Sequence, residues 1–288
     1  MKFVRPALAA AALPALLLGL CPQARATDLK PETLAAFNRF AAARDAQFDA
    51  EVQHDAFLWV DVQPPPKRDE YYRQLRAQGM VIERLGQTID GRKFDVPDAM
   101  VHHWVAIVFI PGVHIGTVVR MVEDYDHHSR YYAPEVARSK LISRDDGHFL
   151  VYLRFHAKHI LSVTVDTWME AWYRTLSPTR EVSRSHTTHA QEVENEGQPD
   201  ETLLPEGHDR GFLWRMNTYW KFEEKDGGTY VQCESITLTR SIPAALKWLI
   251  EPFITSVPRE SLVALLNHTR KFAREAAAAD SAPPPAKP

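Results

Sequence analysis

Thirteen histidines, two cysteines and a scatter of carboxylates are the residues of this sequence whose types could do chemistry, and their spacing decides which. Metal ligands must converge on one point. Along a strand that takes an even separation, because successive side chains leave on opposite faces. His102 and His103, His156 and His159, and His186 and His189 are each an odd number apart, so none of these pairs is a local chelate. The sequence holds no His-Glu-x-x-His, no Gly-x-Ser-x-Gly, no phosphate-cradling glycine loop and no dinucleotide fingerprint. No metal, no cofactor and no catalytic residue is expected.

The remaining candidates read as structure first. Asp126-His127-His128 has the residue types of a phosphoesterase motif but lacks the strand end and further carboxylate clusters that such chemistry needs, so a helix surface is expected. Cys233 would be a nucleophile only with a histidine beside it; alone on an apolar strand face, a cysteine is ordinarily a small core residue. Glu234 points away from it, opposite Tyr219 or Lys221, and reads as a cross-strand surface partner. Arg154, between Leu153 and Phe155, has two readings. Facing inward it needs an anion, from the protein or from a ligand head group; facing outward it is an ordinary half-exposed arginine.

The element that must position these groups is the hairpin spanning residues 211–240. In its first strand Phe212, Trp214, Met216, Thr218, Trp220 and Phe222 fall on one face and Leu213, Arg215, Asn217, Tyr219, Lys221 and Glu223 on the other, so one side is expected to be buried and the other wet. Asp226-Gly227-Gly228 is a tight-turn signal, because primed turns need positive φ. A two-residue turn at either Asp226-Gly227 or Gly227-Gly228 puts Val231, Cys233, Ser235 and Thr237 on the face of the aromatic row; a three-residue loop reverses this. Very large side chains then stand beside small, partly polar ones. Such a wall is either an ordinary dry core or the lining of a cavity with a few polar groups for orientation.

The chain around this hairpin begins with a leader. A basic start, an apolar run from Ala7 to Leu20 and Ala24-Arg25-Ala26 read as a secretory signal peptide cleaved after Ala26. Leu20 precedes Cys21 where a lipoprotein signal has a small residue, so a lipid anchor is not expected. Cleavage removes Lys2, Arg5, Arg25 and Cys21, leaving a mildly acidic chain with Cys233 as its one thiol. An acidic balance gives no electrostatic support to nucleic-acid binding, and a lone cysteine leaves stability to a core rather than a disulfide. No later stretch reaches transmembrane length, and a periplasmic or secreted product is expected.

Residues 27–79 read as a helical arm: Pro31 to Val52 carries a one-sided apolar stripe, Gln63 to Pro66 interrupts, and Arg68 to Gln78 forms a second helix ending at Gly79. Residues 80–275 read as one domain. Strands over 80–85 and 101–110 precede two short helices over 114–132. A meander follows over 136–143, 149–157, 161–173 and 181–193, then a polar loop from Glu194 to Arg210 and the hairpin. Two helices, 243–253 and 258–275, are expected with breaks at Pro252 and Pro258. The second presents Leu262, Leu265, Leu266, Thr269, Phe272 and Ala273 on one face. Residues 276–288 are expected to be a disordered Pro/Ala-rich tail.

This order resembles the α+β helix-grip fold of the START-related (SRPBCC) superfamily, which includes polyketide cyclases and coenzyme Q-binding proteins. The resemblance covers roughly Val101 to Phe272. It is carried by Val119 to Asp126 with Tyr131 to Ser139, by Ser241-Ile242-Pro243, and by His102 to Trp104, Trp214 to Trp220 and Cys233 to Ser235. It implies a curved antiparallel sheet gripping a long C-terminal helix, with a mostly apolar cavity between them and an N-terminal extension outside the usual unit. The expected lining is Trp104, Arg154, Trp214, Met216, Thr218, Trp220, Cys233, Ser235, Leu262 and Leu266. The expected function is non-catalytic binding of a hydrophobic small molecule such as a lipid or isoprenoid. Two alternatives stay open: a cyclase-like enzyme using Arg154, Ser235 or Cys233 to move protons, and a partner-binding module docking through an exposed patch at Leu34, Phe37 and Phe48.

Overall fold

The computed structural model describes residues 27–158, 162–241 and 247–280; the expected leader, and the chain beyond Asp280, lie outside them. A short strand β1 (Thr27–Asp28) leads into α1 (Pro31–Glu51), opened by a proline whose missing N–H costs nothing in a first turn. The same physics corrects one expectation. Pro65 and Pro66 do not interrupt the arm but start α2 (Pro65–Arg76), which ends as Gln78 takes a left-handed φ of 64°. Strands β2 (Met80–Arg84), β3 (Thr88–Ile89), β4 (Arg92–Lys93) and β5 (Ala99–Pro111) follow, then helices α3 (Ile115–Glu123) and α4 (His128–Tyr131).

The meander consists of β6 (Val136–Asp145), β7 (His148–Lys158), β8 (Ser162–Ser177) and β9 (Arg180–Glu194). The polar loop carries two-residue strands β10 (Thr202–Leu203) and β11 (His208–Asp209), and the hairpin is β12 (Arg215–Lys225) with β13 (Gly228–Arg240). The main sheet is antiparallel in the order β2-β5-β13-β12-β9-β8-β7-β6 with β10 beside β9, so the first long strand lies next to the last. Register shifts in β6–β7 and β8–β9 mark the bulges at which the sheet bends. Asp226 and Gly227 turn the hairpin with φ of 55° and 74°, the two positive angles of a type I′ turn, and Trp220 pairs with Cys233 and Thr218 with Ser235 as the two-residue reading requires.

A single helix α5 (Lys247–Asp280) closes the chain. Neither Pro252 nor Pro258 breaks it, because a proline removes one backbone hydrogen bond while the face downstream stays packed, and residues 276–280 are helical rather than part of a tail. Leu262, Leu266, Thr269 and Ala273 are buried against the sheet and α3.

The larger correction concerns the face expected to be wet. Asn217, Tyr219, Lys221, Glu223 and Glu234 are all buried, because the arm lies over the outer face of β5, β13 and β12. Phe37, Phe40, Phe48 and Phe57 contribute roughly 2 kcal/mol each by leaving water there. Buried charges are tolerable only when paired. Arg44 on α1 grips Glu234 bidentately at 2.6 and 2.7 Å, His103 Nε2 lies 2.6 Å from the same carboxylate, and Lys221 donates to Glu51 and to the Phe57 carbonyl. Burial opposes the Glu234 charge, yet the Arg44 guanidinium holds its carboxyl well below the usual range. Phe37 and Phe48 are sealed in this layer, which removes the patch on which a partner-docking reading depended.

Candidate functional site

The inner face is built by strand alternation. From β5 come His102, Trp104, Ala106, Val108 and Ile110; from β13 Val231, Cys233, Ser235, Thr237 and Thr239; from β12 Met216, Thr218, Trp220 and Phe222. Ser183, Ser185 and Thr187 of β9 and Met169 of β8 continue it. Arg270 and Arg274 of α5 reach Gln78 at the foot of β2, and Arg120 of α3 reaches Asp280. The C-terminal half of α5 therefore covers the end of the grip nearest the hairpin turn.

That end is sealed. Val108, Ile110, Phe149, Phe222 and Val231 are fully buried among Val118, Val122 and the helix. A row of polar groups holds it shut: Tyr125 and Tyr173 share a hydroxyl hydrogen bond of 2.8 Å, His128 Nε2 donates to the Val122 carbonyl at 2.9 Å, and Tyr132 meets Thr269 at 3.2 Å. Burial keeps these groups neutral, raising all three tyrosines and lowering His128 to about 4. Burial and the neighbouring Glu234 charge likewise push the Cys233 thiol far up. Every one of these hydroxyls and the imidazole has a protein partner, so they read as fasteners rather than proton carriers.

The opposite end is looser. Trp104, Met216 and Ser235 are only partly buried, and Thr218 and Thr237 keep 9% and 8% of their surface exposed. Three buried polar atoms here have no partner: His102 Nδ1, Trp104 Nε1 and Thr237 Oγ1. They are neighbours in register, Thr237 facing His102 and Ser235 facing Trp104 across β5–β13. His102 Nε2 meets Thr239 Oγ1 at 3.1 Å, and burial together with the Arg84 charge lowers its pKa to about 4, so its ring is neutral near pH 7. Sequence reasoning placed His102 and His103 on opposite faces but did not single out His102. The signal available was its shared parity with Trp104.

Of the residues singled out from sequence, the fold brings Trp104, Met216, Thr218, Trp220, Cys233, Ser235, Leu262 and Leu266 to the inner side. Two belong elsewhere. Trp214 precedes β12, and its ring turns to the arm side, where its Nε1 donates to Asp209 at 3.0 Å. Arg154 faces outward, clamped by Asp166 at 2.6 and 2.8 Å and by Glu201 at 2.8 Å under the polar loop, so its anion is supplied by the protein.

Two concavities open on the outer surface, one of about 420 Å³ beside His156, Thr164, Glu196 and Arg210, the other of about 500 Å³ beside Asp61, Tyr72, Arg76 and Lys225. Neither lies between the sheet and α5. Among the described residues no group of three His, Cys, Asp or Glu is arranged to hold a metal, and no helix is long and apolar enough to cross a membrane.

No family model matches the sequence, and no curated protein matches it. Similar solved structures include a STAR-related lipid transfer protein from Xanthomonas axonopodis, 19% identical over 67% of this chain and 94% of that chain with a TM-score of 0.44. The Zhui aromatase/cyclase from Streptomyces sp. R1128 is 15% identical over 61% and 94% with a TM-score of 0.43. Human STARD10 is 8% identical over 74% and 82% with a TM-score of 0.42. By its own strand order, its two short helices after β5 and its closing helix, the chain has a START-like helix-grip fold of the α+β class.

Proposed function

We propose that this chain binds a hydrophobic small molecule at the loose end of the grip, between Trp104, Met216 and Trp220 on the sheet and the helix layer, without converting it. The observation that carries the reading is the contrast along one continuous inner face. Val108, Ile110, Phe222 and Val231 toward the hairpin-turn end are fully buried, while Trp104 and Met216 toward the far end stay partly exposed. An apolar ligand sliding into that end removes its surface and theirs from water at about 25 cal/mol per Å², less the cost of ordering it. The groups with shifted pKa values on the inner face are held neutral and, at the sealed end, bonded to the protein, which favours holding a molecule over transforming it. The leader at residues 1–26 supports a periplasmic or secreted setting.

Native mass spectrometry of the purified chain before and after organic extraction tests the reading. A mass adduct lost on extraction and regained from a lipid extract is expected. A protein that is empty as isolated and takes up nothing from any extract overturns it.

A further inference from the structure

We infer that the loose end recognises an uncharged hydroxyl on its ligand, an apolar alcohol or phenol, through His102, Trp104 and Thr237. This rests on the binding reading above and names the chemistry of that site.

The inference starts from unmet hydrogen bonds. A buried donor or acceptor without a partner is costly, and nearly all such groups in folded proteins are paired. Here three unpaired atoms sit together on two adjacent strands: the indole N–H of Trp104, the hydroxyl of Thr237 and Nδ1 of His102. His102 is 1% and Thr237 8% exposed, so water reaches neither freely. The Trp104 N–H can only donate and the Thr237 hydroxyl can do either. The Thr239 hydroxyl lies 3.1 Å from His102 Nε2, while Nδ1 has no partner; with Nε2–H donating to Thr239, Nδ1 is left as an acceptor.

One donor, one acceptor and one adaptable hydroxyl match an alcohol, whose O–H gives to His102 Nδ1 while its oxygen accepts from Trp104 or Thr237. A carboxylate or phosphate offers only acceptors and would face the Nδ1 lone pair. A bare hydrocarbon leaves all three atoms unpaired. The same wall continues into Met216 and Trp220, which supplies the apolar body of the site. Arg84, exposed at the rim opposite Trp104, adds positive field that disfavours a second charge on the ring.

The test compares three probes of one chain length on the full chain: 1-decanol, its methyl ether and decanoate, by displacement of a fluorescent apolar dye. In the wild type, decanol is expected to bind about tenfold tighter than the ether, the worth of one buried hydrogen bond. In His102→Phe that preference falls to about twofold while ether binding is retained, which also shows that the variant folds, whereas Thr237→Val weakens alcohol and ether alike. Equal affinity for alcohol and ether, or tightest binding of decanoate, overturns the hydroxyl assignment and leaves the binding reading standing. Failure of all three probes to bind, in a chain that also takes up no lipid extract, overturns both.

Discussion

Replacing Arg44 by methionine is the sharpest probe of how the arm is joined to the sheet. The substitution keeps most of the stem but removes a guanidinium that makes two hydrogen bonds of 2.6 and 2.7 Å to Glu234, whose side chain is 2% exposed. What remains is a buried carboxylate with His103 as its one charged-type partner at 2.6 Å. Breaking one side of such a pair costs about 3–5 kcal/mol, since the loss is the stranded charge rather than the pair itself. Removing both sides strands nothing, so Arg44→Met with Glu234→Leu is expected to recover most of that loss. Urea denaturation followed by tryptophan fluorescence reads both, with the midpoint falling and the slope unchanged. A single variant costing under about 1 kcal/mol, or a double variant as damaged as the sum of the singles, refutes the inference that α1 is latched through a desolvated ion pair.

Three further outcomes are expected. His102 and His128 are both held near a pKa of 4 by burial, so the unfolded chain binds more protons than the folded one between pH 6.5 and 4. Stability is therefore full above pH 6.5 and falls as pH drops, by at most about 3 kcal/mol per residue, and His102→Gln flattens the urea midpoint across pH 6.5 to 4.5; an unchanged slope contradicts this. In a folded chain of residues 27–288, the Cys233 thiol is expected to ignore Ellman's reagent at pH 8 and to react fully in denaturant; rapid reaction when folded sinks the buried assignment. A methyl group at Gly228 would meet the Ile110 carbonyl at 2.4 Å and Pro111 Cα at 2.7 Å, whereas one at Gly227 meets nothing and only its φ is strained. Gly228→Ala should thus cost more than the roughly 1 kcal/mol of Gly227→Ala in the same denaturation assay, and the reverse order refutes the close approach of β13 to β5.

The parts of the fold legible in the sequence are those written by local rules. The hairpin's parity followed from a turn that only positive φ satisfies, and the buried stripe of α5 from its 3.6-residue spacing. What was not legible depends on partners far along the chain. Lys221 and Glu223 look solvated in their strand, and it is Glu51 of α1 with the Phe57 carbonyl for the first, and Arg180 of β9 with Lys225 for the second, that make their burial tolerable. Trp214 left the aromatic row because the regular strand starts one residue later and Asp209 draws its indole away. His102 was passed over because it was weighed for metal chemistry with His103 rather than as a lone polar group among inner-face neighbours.

Fluorine NMR of the chain labelled with 5-fluorotryptophan, titrated with 1-decanol, separates a ligand in the grip from one anywhere else. Trp104 and Trp220 lie on the inner face, while Trp59 and Trp214 sit in the arm layer and Trp168 and Trp172 on the outer side of β8. Saturable shifts of the Trp104 and Trp220 signals are expected with those of Trp59, Trp168, Trp172 and Trp214 unmoved, the seventh signal being assigned to Trp248 by Trp248→Phe. Shifts confined to the outer tryptophans, or none at saturating alcohol, would contradict binding at the inner face.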